Sequence, residues 1–218
     1  MKQFPIIIIR HNEYLDKIFT FYVKNSPDTK KGNWHKWTPP KKKYLLNKVH
    51  GFQKEWGKYK KEILLAMREI TGLSFQRNRI DVFIVSGVLR TFSEPIVMDG
   101  RLKNNSFVDI LTHELIHLLI ADGLGKKGKE KLNNFIEKLF PNRNEVTKSH
   151  IMVFAILKYI QLKVFKDKKR VKDDIERAKK HGNDDYTKAW EIVNKHGHLK
   201  IIKKIKAMFI VDEKKSVR

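Results

Sequence analysis

Residues 106–121, SFVDILTHELIHLLIA, constrain this chain more than any other stretch. Ile110, Leu111, Leu115, Leu118 and Leu119 recur at helical spacing, so the segment reads as a helix with an apolar stripe. Ser106 is the expected N-cap, with Asp109 three residues on, and Gly123 or Gly125 ends the run. Inside it stand His113, Glu114, Leu115, Ile116 and His117, an H-E-x-x-H. Positions i and i+4 share a helix face, so His113 and His117 can aim two imidazoles at one point. A zinc ion needs that from its first two ligands. Glu114, beside them, is placed to deprotonate a water activated by the ion. A core helix with two incidental histidines would show the same letters, but a capped and striped helix around the motif favours the metal.

Composition narrows the rest. The 218 residues suffice for one good-sized domain or a domain with an appendage. There is no cysteine, which excludes disulfides and thiolate zinc sites and fits a reducing, cytoplasmic setting. Any zinc must therefore be held by histidine and carboxylate. No apolar run approaches the roughly 18–20 residues that span a bilayer, so no membrane partner is expected. The opening MKQFPIIIIRHNEY has no small-residue cleavage site and reads as a strand, not a signal peptide. The formal charge of +23 has two readings. One is a nucleic-acid or other polyanion partner. The other, favoured for the composition as a whole, is a lysine-rich, thermophile and archaeal style.

Taken in order, Phe4 to Arg10 is a strand, and Asn12 or His11 opens a helix to about Val23. Residues 25–40 are a turn-rich loop carrying Trp34 and Trp37. Lys41 to Thr71 is a long helix, with Gly72 as its cap. From Lys24 to Lys61, twelve lysines face only Asp28 and Glu55, the most basic surface and the one a nucleic acid would use. A solvated helix face, with the tryptophans clamping the loop, would look the same. Arg79 to Ser86 is a strand and Pro95 to Met98 a shorter one. The first two strands, joined by a helical crossover, should pair in parallel. The third, after a turn, should run antiparallel at an edge. Helices follow at 129–140 and 142–165, then a charged helix or linker at 166–180, helices at 185–195 and 199–210, and a frayed tail. The expected fold is α+β, a small mixed sheet backed by helices. A domain at 1–165 would carry a helical extension, 166–218, packed on it.

Two histidines do not complete a catalytic zinc site, which takes three protein ligands and a water. The candidates for the third are Glu145 and His150, 28 and 33 residues after His117, on the polar first turns of a helix entering the core. Asn144 precedes Glu145. An H-E-x-x-H followed by an asparagine–glutamate pair on a second helix resembles the gluzincins, the thermolysin-like metallopeptidases. The order of elements over residues 4–165 looks most like the compact minigluzincins.

The resemblance implies a zinc endopeptidase with Glu145 as third ligand and Glu114 as general base. It also implies a twisted sheet, with a peptide substrate lying along the strand at Pro95–Met98. This chain reads N-E-V-T-K-S-H where the thermolysin branch continues N-E-x-x-S-D. His150 therefore stands in place of the aspartate that orients a zinc histidine, and could orient one or replace Glu145. Related enzymes stabilise the oxyanion with a histidine or tyrosine, for which His181 and Tyr186 are the candidates here. Minigluzincin-like proteins are kept latent by terminal segments, a role the helices from 166 to 218 would take by covering the cleft.

Overall fold

Four isoleucines in a row favour extended backbone. They lie in β1 (Ile6–His11) of a computed structural model, which describes residues 3–30, 36–180 and 184–215. Asn12 caps α1 (Glu13–Asn25), its side chain accepting from the Tyr14 and Leu15 amides at 3.1 Å. A short α2 (Pro27–Lys30) interrupts the expected loop. α3 (Lys42–Thr71) runs through Gly51 and Gly57, and Gly72, at φ 75°, ends it in the left-handed region that glycine tolerates.

β2 (Arg79–Val85), β3 (Phe92–Ser93) and β4 (Ile96–Asp99) complete a four-stranded sheet in the order β1-β2-β4-β3. β1 and β2 pair in parallel, as the crossover requires. The short strand at Ile96–Asp99 departs from expectation: it pairs parallel to β2 and lies inside the sheet. The register Val82↔Ile96 takes the chain back by about three residues, roughly 10 Å, before it re-enters the sheet. Residues 86–95 are long enough to do this. On the way they lay down β3, antiparallel to β4, as the outer strand.

α4 (Asn104–Leu139) contains the H-E-x-x-H segment. It starts two residues before Ser106, which lies inside its first turn. Gly125, at φ 59° and ψ −172°, breaks its helical geometry where the sequence placed an end. α5 (Glu145–Lys163), α6 (Lys168–Lys180), α7 (Asp184–His196) and α8 (His198–Lys215) follow. Among the described residues no helix is long and apolar enough to cross a membrane.

The chain packs as two compact units, 1–60 with 75–118 and 61–74 with 119–218. In the first, Leu15 and Phe19 of α1 pack, with Phe83, against the buried cluster Val85, Val88 and Val97. Asp16 fastens α1 to the end of β2, accepting from the Ser86 amide at 2.6 Å and hydroxyl at 2.9 Å. α3 donates from Gln53 to the Ile9 carbonyl at 2.8 Å, and its buried Phe52 stacks on Phe107 of α4 with centroids 4.0 Å apart.

In the second unit, α5 is the central rod, with Ile151 to Leu157 buried without interruption. Phe154 stacks on Trp190 of α7 (4.6 Å, 13° between planes), and Gln161 donates to Asp174 of α6 at 2.6 Å. The expected boundary at residue 165 does not appear. α5 shares one core with α6, α7 and α8, because an apolar run with no polar face must be covered on all sides.

Candidate metal centre

α4 is buried almost all round between Phe107 and Ile120. Its one half-open stripe there is Ile110, His113 and His117, spaced three and four residues apart. The apolar residues of the helix, with Phe107, Val108, Leu111, Leu115 and Ile116 all fully buried, fix its rotation. They leave the two imidazoles on the accessible side.

The two rings present Nε2 atoms to one another at 3.1 Å. Two nitrogens on a tetrahedral zinc at 2.0–2.1 Å stand about 3.3 Å apart, so the pair already has the separation of one tetrahedral edge. Each of His113, His117 and His150 offers one ligand nitrogen, and these nitrogens lie within 4.8 Å of one another. The cluster could hold a metal ion.

The surroundings of His150 suit a ligand. Its Nδ1 lies 2.7 Å from the Val146 carbonyl oxygen. A carbonyl can only accept, so the proton is on Nδ1 and the ring is the tautomer whose lone pair lies on Nε2. A backbone carbonyl holding the far nitrogen is the usual way a ligating histidine is oriented. Burial pushes the ring's pKa below the ordinary histidine value and keeps it neutral, as a ligand must be. The Tyr186 ring meets its edge at 4.6 Å and 79°. Thr147, one turn before, bonds through its hydroxyl to the Asp185 carbonyl at 3.3 Å. The start of α7 thus braces the first turn of α5.

Glu145 is not brought into this cluster. Its side chain is 74% exposed and pairs with Lys148, which also meets Glu137 at 3.2 Å. The two carboxylates raise the Lys148 pKa, with Glu145 the larger cause. The asparagine–glutamate pair has a local explanation. Asn144 caps α5, accepting from the Thr147 amide at 2.9 Å, and Glu145 is an acid in the first turn, where the helix dipole favours one. Five residues separate Glu145 from His150, about 140° around a helix, so the two cannot face one point.

Glu114 is buried, at 7% exposure. Burial raises its pKa to about 7, against a smaller downward pull from Ser93. The Ser93 hydroxyl, on β3, donates to Glu114 Oε2 at 2.5 Å. Ser93 carries no sequence signal: it lies in a two-residue strand too short to show a period, and only the fold places it beside Glu114.

Of the other sequence candidates, Tyr186 stands against His150 as described, while His181 and Trp34 lie outside the described residues. Trp37 is half-buried, with the Arg101 guanidinium 5.8 Å from its ring centre. In the basic stretch, Lys42 pairs with Glu13 at 2.9 Å, Lys58 with Glu55 at 2.6 Å, and Lys48 donates to the Leu102 carbonyl. Comparison with family models, with curated proteins and with solved structures finds no match to this chain.

Proposed function

We propose that this chain is a zinc-dependent metallopeptidase of the gluzincin type in its helix and general base, with His113, His117 and His150 as its metal ligands. The observation that carries the reading is the pairing of a three-imidazole cluster with a buried carboxylate, Glu114, on the same helix as two of its members. The donor set fits zinc. Three neutral histidines and a water make a known open catalytic site, and imidazole suits zinc better than it suits calcium or magnesium. A structural site has no need of a base beside it.

Zinc held there would polarise a peptide carbonyl and lower the pKa of the attacking water. The remaining chemistry belongs to the chain. Glu114 takes the proton of that water through its carboxylate and returns it to the amine that leaves. Burial raises its basicity for the first transfer. A divalent ion bound beside it would favour the ionised carboxylate that this transfer needs.

The test is Glu114→Gln beside the wild type. Zinc content should be unchanged and turnover of an unfolded protein substrate should fall by at least about a hundredfold, the usual worth of a general base. Retained turnover would remove Glu114 from the mechanism.

A further inference from the structure

We propose that Ser93 is a positioning residue for Glu114: its hydroxyl holds one carboxylate oxygen so that the other faces the attacking water. The inference rests on the peptidase reading and deepens it. A glutamate on a helix has three side-chain torsions, and its last is broad, so a carboxylate aimed only by its own rotamer samples many orientations. Among the described residues Ser93 is the one hydrogen-bond partner of this carboxylate, at 2.5 Å. The bond is made to Oε2, and among the described residues Oε1 has no hydrogen-bond partner.

Ser93 is itself fixed. It pairs with Ile96 in the β3–β4 ladder, and its neighbour Phe92 pairs with Val97 and sets its ring 5.6 Å from that of Phe19. The base is therefore held from two sides, by α4 through its backbone and by the outer strand through one hydroxyl. General-base catalysis is sensitive to such aim, and a misplacement of about 1 Å can cost about a hundredfold. The hydroxyl's hydrogen bond goes to the base, so its loss should leave ligation intact.

The experiment compares zinc-loaded wild type, Ser93→Ala and Ser93→Thr on a fluorogenic peptide library and an unfolded protein, with zinc content measured on each and a crystal structure of the alanine variant. Ser93→Ala should lower kcat by about tenfold to a hundredfold with KM within about twofold, at unchanged zinc content. Ser93→Thr, which keeps the hydroxyl on a β-branched strand residue, should restore the rate. The Glu114 carboxylate should be turned or split between orientations in the alanine variant. Unchanged kcat in Ser93→Ala, a loss confined to KM, or failure of threonine to rescue would each overturn the proposal. If fully zinc-loaded wild type cleaves nothing, the peptidase reading fails separately. The positioning role is then decided by the crystal structure alone, upheld by a displaced Glu114 and overturned by an unmoved one.

Discussion

Trp190→Ala tests whether the terminal helices belong to the core or merely cover a site. Trp190 is 1% exposed and stacks at 4.6 Å and 13° on Phe154, whose ring lies 5.3 Å from that of His150. Truncating a buried aromatic to alanine costs about 3–5 kcal/mol, because the lost transfer energy is joined by the cavity left behind. For a chain of this length each kcal/mol lowers Tm by roughly 2–4 °C, so a fall of about 6–20 °C is expected. Phe154 would lose the partner that fixes its rotamer, and His150 would lose a fixed neighbour, so zinc affinity should fall with stability. Trp190→Phe, which keeps an aromatic ring against Phe154, should recover most of both. Thermal melting by circular dichroism, with and without zinc, reads the first effect, and competition with a chelator reads the second. A detachable cover would behave otherwise. Its weakening would leave Tm within about 2 °C and raise peptidase activity, and that pair of results would refute the core assignment.

Deleting residues after 165 removes the buried Val171, Trp190, Ile192, Val193, Ile201, Ile202 and Ile205. Each such side chain is worth about 1.5–3 kcal/mol of burial, so the truncated chain should lose cooperative melting and bind a hydrophobic dye, not gain activity as the latency expectation has it. A folded, more active truncation would reinstate that expectation. Asp174 gives the pH dependence: burial raises its carboxyl pKa above the ordinary value, against opposing pulls from Arg177 and Gln161. A group that binds its proton more tightly when folded contributes stability that is complete below its unfolded pKa, about 3.9, and is lost as pH rises through the raised folded value. Tm should therefore fall over that window in the wild type and less in Asp174→Asn, and equal slopes would show that Asp174 does not govern it.

What the sequence disclosed, and what it hid, divides by the length of the signal. The H-E-x-x-H helix was legible because its apolar residues keep a 3.6-residue period for four turns, and Gly125 marked its break. The parallel pairing of β1 with β2 followed from the helix between them. β3 was not legible, since two residues have no period. Without β3 the next strand seemed to form a simple hairpin with β2, which gave it the wrong direction and the wrong place in the sheet. The place of His150 beside His113 and His117 was hidden for a different reason. From Ile151 to Leu157 every residue of α5 is apolar and buried, so the run has no face to reveal the helix rotation. Glu145 and His150 lie about 140° apart on that helix, and the sequence reading favoured Glu145 with nothing in the run to fix the rotation. The asparagine before Glu145 caps α5 in the structure, and a helix cap and the clan's ligand motif begin with the same two letters.

Metal content of the purified protein, wild type beside His150→Ala and Glu145→Ala, tests the central claim most directly. Near-stoichiometric zinc in the wild type and in Glu145→Ala, with a large loss in His150→Ala, is the expected result for a three-histidine centre. Loss in Glu145→Ala with retention in His150→Ala would contradict it and restore the histidine–histidine–glutamate set. A folded wild type that carries no metal and refuses added zinc would contradict the metal reading itself.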